Sequence, residues 1–437
     1  MTDVSRERIV ALDKSRVWHP YTEMSRYREE VDPLVVVRAQ GSWIFDADGT
    51  GYLDGNASWW SSILGHNHPR LIAALEMQAQ SLCHTALAGI AHPVASELAE
   101  RICAVAPEGL EHVFYSDNGS TSVEVAIKLA LQYWQQNGRP ERRTFLALDG
   151  AFHGETMGVT GLGGVEVFRR PFAGSLLDCI HIPSPALPGQ ESVALEALRR
   201  QIGDNAGRLA AVVVEPMVQG AAGMQIYSPD FLREARALCD AHDVFLICDE
   251  VFSGYGRTGR MWASEHAGVR PDILCSAKGF SGGMFPMAAT LASERIFEGF
   301  LGEPDRAFFY GHTFCGNPLG AAIALEVLKI YEDEAIIETL QGKARIIEQA
   351  FEGMAAMPGV ARVRSLGMIG ALDLEGQEGY LADRGWRVFD EARKRGAYLR
   401  PLGNVVYVTP SLNIPDEDLT RLLEIVHASI EAVSAGV

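Results

Sequence analysis

Lysine is scarce in this chain: six in 437 residues, at positions 14, 128, 278, 329, 343 and 394. Asp and Glu outnumber Lys and Arg by 56 to 38, a formal net charge of -18. That balance argues against nucleic acid or an anionic membrane as the main partner. No run of about 18 apolar residues exists, so no membrane-spanning helix is expected. The start, MTDVSRERIVALDKSRVW, lacks a basic stretch followed by a long apolar one, so no secretory signal is expected either. The seven cysteines never form C-x-x-C, and their odd number suits a reducing cytoplasm in which they are small buried hydrophobes. His66-Asn67-His68, before Pro69, has no carboxylate at ligand spacing and reads as a turn, so no metal is expected.

What is present is apolar and periodic. With 47% hydrophobic residues, the chain is long enough for more than one core. Residues 34–54 alternate like a hairpin around Asp48-Gly49. From about 70 to 330, helical patterns alternate with short apolar segments at 112–116, 144–148, 210–215, 244–249, 272–276 and 287–292. Nearly continuous apolar strands separated by helices predict an α/β protein with a mainly parallel sheet covered on both faces. Strands at 359–373 and 404–410 and a closing helix predict a smaller domain built from both chain ends. The expected division is an N-terminal segment 1–65 belonging to the small domain, a large domain 66–330, and a C-terminal part 331–437.

Chemistry collects where the predicted strands end, the usual ligand side of an open parallel sheet. In LICDEVFSGYGRTG, residues 246–259, an apolar run delivers Asp249 and Glu250 together. A buried carboxylate is costly unless a cation or donors meet it. Lys278 is the one lysine that follows an apolar strand and precedes glycine. A lysine there can form a Schiff base with an aldehyde, and a carboxylate can hold a protonated pyridine nitrogen. The spacing from 249 to 278 suits one strand–helix–strand unit. Gly119-Ser120-Thr121, opening a helical pattern with Thr121 and Glu124 at capping-box spacing, offers a phosphate cup. Val251 shares the face of Asp249 and could support a ring, with Phe152 on the other side. Pyridoxal phosphate needs all of these parts.

The stretch ICDEVFSGYGRTGRMWASEHAGVRPDILCSAKG resembles the class III (ω-) aminotransferases of fold type I. DNGSTSVEVAIKLA, FHGETMG, VVVEPMVQGAAGM and GHTFCGNPLGAA are similar to that family too, so the likeness spans essentially the whole chain. The resemblance implies a fold type I transferase with a sheet of about seven strands and pyridoxal 5'-phosphate held by Lys278 and Asp249. It also implies that Glu215 and His312 belong to the cofactor site. It implies a homodimer with shared active sites, in which Thr313 reaches the phosphate of the neighbouring subunit's cofactor. VWHPYTEM, NASWWSSILGHNHP and LRPLGNVVYVTP are most similar to the branch that aminates 8-amino-7-oxononanoate in biotin synthesis, usually with S-adenosylmethionine as donor and in some members with lysine. By that likeness Tyr21, Trp59 and Trp60 line the substrate pocket with Phe152, Gly311 and Tyr407, and Arg400 receives the acceptor's carboxylate. Phe152 and Glu155 stand where the branch usually has tyrosine and aspartate, and Gly311-His312-Thr313 where it often has Gly-Pro-Thr.

Gly254, Gly256 and Gly259 also satisfy G-x-G-x-x-G, the dinucleotide fingerprint. That motif requires glycine at the immediate strand-to-helix turn, and here the acidic pair and three further residues intervene. Arg257 in this loop is instead expected at the substrate end of the site. A non-catalytic binding protein could keep the same fold, but would have no use for Asp249, Lys278 and the phosphate cup together.

Overall fold

The structure, a computed structural model, describes residues 5–376 and 379–434. Seven strands form its central sheet: β1 (Leu110–Ser116), β2 (Thr144–Leu148), β3 (Cys179–Ile182), β4 (Leu209–Val214), β5 (Phe245–Asp249), β6 (Ile273–Ser276) and β7 (Ala288–Ser293), in the spatial order β1-β7-β6-β5-β4-β2-β3. Only β7 runs antiparallel to its neighbours. Strands β2, β4 and β5 are buried at every residue, as expected of a sheet covered on both faces. The strand that sequence patterning misses is β3. It is a short edge strand, partly exposed at three of its four positions, so its apolar signal is weak.

One expected connection differs. Between Asp249 and Ile273 the chain makes successive turns and a single 3-10 helix, Ala263–His266, where a full α-helix was expected. Glu250 organises this segment: its buried carboxylate accepts from Ser253 Oγ at 2.6 Å, Ala263 N at 3.0 Å and Ser264 N at 2.8 Å. The three local donors replace the regularity a helix would supply.

The two chain ends meet in a second sheet. Strands Val36–Gln40, Trp43–Asp46 and Gly51–Asp54 pair in sequence, and Ala397–Tyr398 adds parallel to Gly51–Asp54. Strands Val360–Leu366, Ile369–Leu374 and Val405–Val408 form a third sheet, with helix Ile336–Met354 packed on it. One continuous apolar cluster joins Leu53, Leu71, Phe280, Leu291 and Leu419. The central sheet and the terminal pieces therefore share a core, which holds the latter firmly over the strand ends.

Candidate active site

A cavity of about 620 Å³ opens at the carboxyl ends of β4, β5 and β6. At its inner end β5 delivers Asp249, 5% exposed, whose Oδ1 accepts from Val251 N at 3.1 Å. The other oxygen, Oδ2, lies 2.8 Å from Nδ1 of the buried His153. Burial lowers the His153 pKa, but the hydrogen bond to Asp249 and its charge more than offset this, and the net shift is upward. The histidine thus fixes the orientation of the Asp249 carboxylate at the inner end of the cavity.

Lys278 begins a 3-10 turn just after β6, with its backbone at φ +33°. Burial draws its ammonium pKa below the ordinary value, against the opposing charges of Asp249 and Glu215. Its Nζ lies 5.1 Å from the centroid of the Trp60 ring. Glu215, at the end of β4, accepts from Phe152 N at 3.0 Å and Gly220 N at 2.9 Å. Burial raises its pKa to about 7, with the nearby His153 acting against the rise and Asp249 adding to it.

The cup is built by the helix Gly119–Gln136. Its cap differs from expectation. Asn118 is the N-cap, its side chain accepting from Thr121 N while Thr121 Oγ1 accepts from Asn118 N. Glu124 turns away, to accept from Thr156 Oγ1 and Val159 N. Gly119 is required by close approach: a Cβ there would lie 2.7 Å from Val251 Cγ1. Ser120 Oγ accepts from Glu155 N at 3.0 Å, and Gly154 has φ +126° with no room for a Cβ beside Ser120. The first N–H groups of this 18-residue helix therefore face the cavity across a tightly packed wall.

The outer end is assembled from remote parts of the chain. Tyr21 donates to Glu155 Oε1 at 2.7 Å and packs edge-on against Trp59 and Phe168. Phe152 meets Phe168, which in turn meets Tyr380. Trp59 and Trp60 lie in a turn where four successive non-glycine residues, Ala57 to Trp60, have φ between +44° and +76°. Left-handed backbone costs an L-residue roughly 1–2 kcal/mol, so such a run must be held by its surroundings. Trp60 is buried between Phe252 and Tyr407, its Nε1 donating to Tyr407 Oη at 3.0 Å. The Arg400 guanidinium stacks 4.5 Å from the Trp59 centroid, beside Tyr380.

Of the residues expected from sequence, the cavity wall brings together Lys278, Asp249, Glu215, Gly119, Ser120 and Val251. It also includes Phe152, Tyr21, Trp59 and Trp60. Others stand elsewhere. Arg257, expected at the substrate end, is fully buried off the cavity, donating to Pro410 O at 2.8 Å and Met368 O at 3.4 Å. Burial pulls its pKa down to about 10, and its role is to tie the turn after β5 to carbonyls near the C-terminal strands. Tyr407 is a backing for Trp60 and not a wall residue. Arg400 lies at the outer margin, behind Trp59 and Tyr380. Gly311 and Thr313 are exposed and off this cavity, while His312 sits 3.8 Å from the rim residue Asp117. His153, Phe168 and Tyr380 were missed; His153 alone carried a signal, its place beside Phe152 at a strand end.

Known proteins resemble the chain throughout. The family described as Aminotransferase class-III matches residues 25–430. An adenosylmethionine-8-amino-7-oxononanoate aminotransferase of Geobacter sulfurreducens is 39% identical, with all of both chains covered. The crystal structure of the protein of that name from Methanocaldococcus jannaschii superposes with a TM-score of 0.95 at 32% identity, covering 98% of this chain and 99% of the other. A PLP-bound amine transaminase from an uncultivated Pseudomonas species superposes at 0.90 with 33% identity, over 96% of this chain and 98% of its own. A cavity that sets a lysine near a histidine-backed aspartate, beside a helix N-terminus, is what a pyridoxal-phosphate transaminase requires, and with these likenesses it follows that the chain belongs to the class-III aminotransferases.

Proposed function

We propose that the protein transfers an amino group to the ketone of 8-amino-7-oxononanoate, giving 7,8-diaminononanoate for biotin synthesis, with S-adenosylmethionine as donor. The observation that carries this reading is the polarity of the cavity, with Lys278 at one end and the Arg400–Trp59 stack at the other. The acceptor has a ketone and an amine at one end of a methylene chain and a carboxylate at the far end. Aromatic walls contribute about 25 cal/mol per Å² of that chain removed from water. A guanidinium can meet the carboxylate with two parallel hydrogen bonds. Relatives named for the adenosylmethionine-dependent reaction support the choice of both substrates.

Bound pyridoxal phosphate supplies an electron sink for the carbon that carries the migrating amine. Lys278 would hold its aldehyde end and Asp249 the proton on its ring nitrogen, with Val251 and Phe152 against the ring faces and Gly119 and Ser120 at the phosphate. Lys278 Nζ, its pKa drawn down by burial, takes the proton from the amine-bearing carbon of the donor as general base. Asp249, held by His153 and Val251 N, keeps its carboxylate fixed throughout. Tyr21 and Phe168 narrow the outer mouth against water.

The working unit in this reading is a cytoplasmic homodimer. Exposure of Phe309 (83%) and Phe314 (57%), flanking Gly311-His312-Thr313, fits a segment covered by a second copy, with Thr313 at that copy's phosphate. Seven free cysteines fit a reducing compartment.

A single-turnover screen tests the proposal: single amines are added to the holoenzyme and discharge of its visible absorbance is followed. S-adenosylmethionine should discharge it, and the keto acid should then restore it. Discharge by lysine but not S-adenosylmethionine would replace the donor. Discharge by β-alanine or putrescine alone would reject the reaction.

A further inference from the structure

The run Ala57-Ser58-Trp59-Trp60 contains no glycine, yet all four residues are left-handed. The chain closes it as a left-handed helical turn, with Trp60 N donating to Asn56 O at 2.8 Å and Ser61 N to Ala57 O at 2.9 Å. Something outside the turn must hold it. Asp54, 3% exposed at the end of its strand, spends one carboxylate oxygen on that task. Its Oδ2 accepts from Ser58 N at 2.7 Å and from Ser58 Oγ at 2.7 Å, and lies 2.9 Å from His66 Nε2. His66 is itself fixed, its backbone exchanging hydrogen bonds with Gly41 at 2.7 and 3.0 Å. Next to Asp54, buried Asn56 accepts from Arg400 N at 2.6 Å and donates to Tyr407 O at 3.3 Å.

The turn therefore sits where four parts of the site join. It carries Trp60, whose ring faces Lys278, and Trp59, whose ring carries the Arg400 guanidinium. Asn56 adds the backbone of Arg400 itself. Backbone in a costly conformation persists only where its surroundings determine it, and here the surroundings converge on one carboxylate. We propose that the Asp54–His66 pair is a positioning device for acceptor recognition: it pins residues 57–60 in the left-handed turn that sets Trp59, Trp60 and Arg400 in register with the long acceptor. Neither Asp54 nor His66 touches the reacting atoms. The proposal rests on the acceptor reading above for its kinetic consequence, though not for its structural one.

His66→Leu removes the donor to Asp54, and His66→Gln keeps an N–H at similar reach. In the holoenzyme, His66→Leu should raise the KM for 8-amino-7-oxononanoate by about tenfold or more, the effect of about 1.4 kcal/mol. The rate of absorbance discharge by a short amine such as n-propylamine, which reaches Lys278 without spanning the outer wall, should fall by a clearly smaller factor. His66→Gln should restore most of the KM. Adding Ala57→Gly to His66→Leu should also recover part of it, because glycine takes the left-handed conformation at little cost. Equal losses for the short and long substrates, or an unchanged KM in His66→Leu, would overturn the proposal.

The structural consequence is read without substrate, by fluorine NMR of holoenzyme labelled with 5-fluorotryptophan. His66→Leu should shift the Trp59 and Trp60 signals and leave the signal of the remote Trp134 in place. Unmoved Trp59 and Trp60 signals would overturn the positioning role even if the parent enzyme proved to use a different acceptor. Shifted signals in a parent that ignores the keto acid would instead count against the acceptor reading alone.

Discussion

The inner and outer ends of the cavity are built on different principles. The inner end is made by strand termini and the loops directly attached to them. Asp249, Lys278 and Glu215 stand at the ends of three adjacent strands, and the two carboxylates are met by backbone N–H groups and the buried His153. The outer end gathers Tyr21, Trp59, Tyr380 and Arg400 from both chain ends, held by the exposed Tyr21–Glu155 hydrogen bond, the bond from Arg400 N to Asn56, aromatic edges and a strained turn pinned by Asp54. A sheet fixes its termini to within a fraction of an ångström, which suits proton transfer. Pieces from distant parts of the chain tolerate exchange, which suits substrate choice. Inner substitutions should therefore damage turnover of every substrate, and outer ones should discriminate between substrates.

The sharpest break is Lys278→Ala, which should abolish the visible absorbance of the purified protein and reduce turnover by on the order of 10⁴-fold or more. An alanine variant with normal activity would remove the inner end from the chemistry. Asp249→Asn comes next. Removing one partner of a buried charge pair typically costs about 3–5 kcal/mol, so the half-reaction should slow by on the order of 10²–10³-fold for any amine, with the cofactor still bound. A rate within about twofold of the parent would contradict the assignment.

Arg400→Ala probes the outer end. Because the guanidinium is only partly buried, its loss should weaken use of the keto acid by about 10–100-fold, or about 1.4–2.8 kcal/mol, and use of the neutral methyl ester much less. Equal penalties for acid and ester would mean that Arg400 acts through packing on Trp59.

The smallest effect is a slope. Glu215 has its folded pKa raised from 4.5 to about 7 by burial. Between those values the folded state binds the proton that the unfolded state has released, so this group's contribution is full below about pH 4.5 and is lost as pH rises through about 7. Cofactor-free protein should lose stability over that window, and Glu215→Gln should flatten the loss. Denaturant midpoints measured from pH 5 to 8 give the comparison, and identical slopes would mean that Glu215 is ionised in the fold.

Legibility followed the same division. Asp249 and Lys278 were readable because an apolar strand followed by a charged residue is a local pattern with a cost attached. Lys278 stood out further because lysine is rare in this chain. Arg257 was misread for the complementary reason: its loop is adjacent in sequence to the site, but the turns after β5 carry it to the carbonyls of Met368 and Pro410. Tyr407 resembled a wall residue and proved to be the support behind Trp60. The capping box shifted because Asn118, three residues before Thr121, competes for its N–H better than the expected arrangement.

By itself, the sequence determined the α/β class, six of the seven central strands, the lysine–aspartate pair and the helix that opens beside it. Each is written in periodicity or in a charge at the end of an apolar run, and such signals act over a few residues. Tertiary structure alone decided that His153 backs Asp249, that Tyr380 and Phe168 line the outer end of the cavity, and that Ala57 to Trp60 turn left-handed without a glycine. Those features depend on contacts between residues up to several hundred positions apart, as with Asn56 and Arg400, and a hydrogen bond across that separation leaves no period or spacing in the chain that makes it.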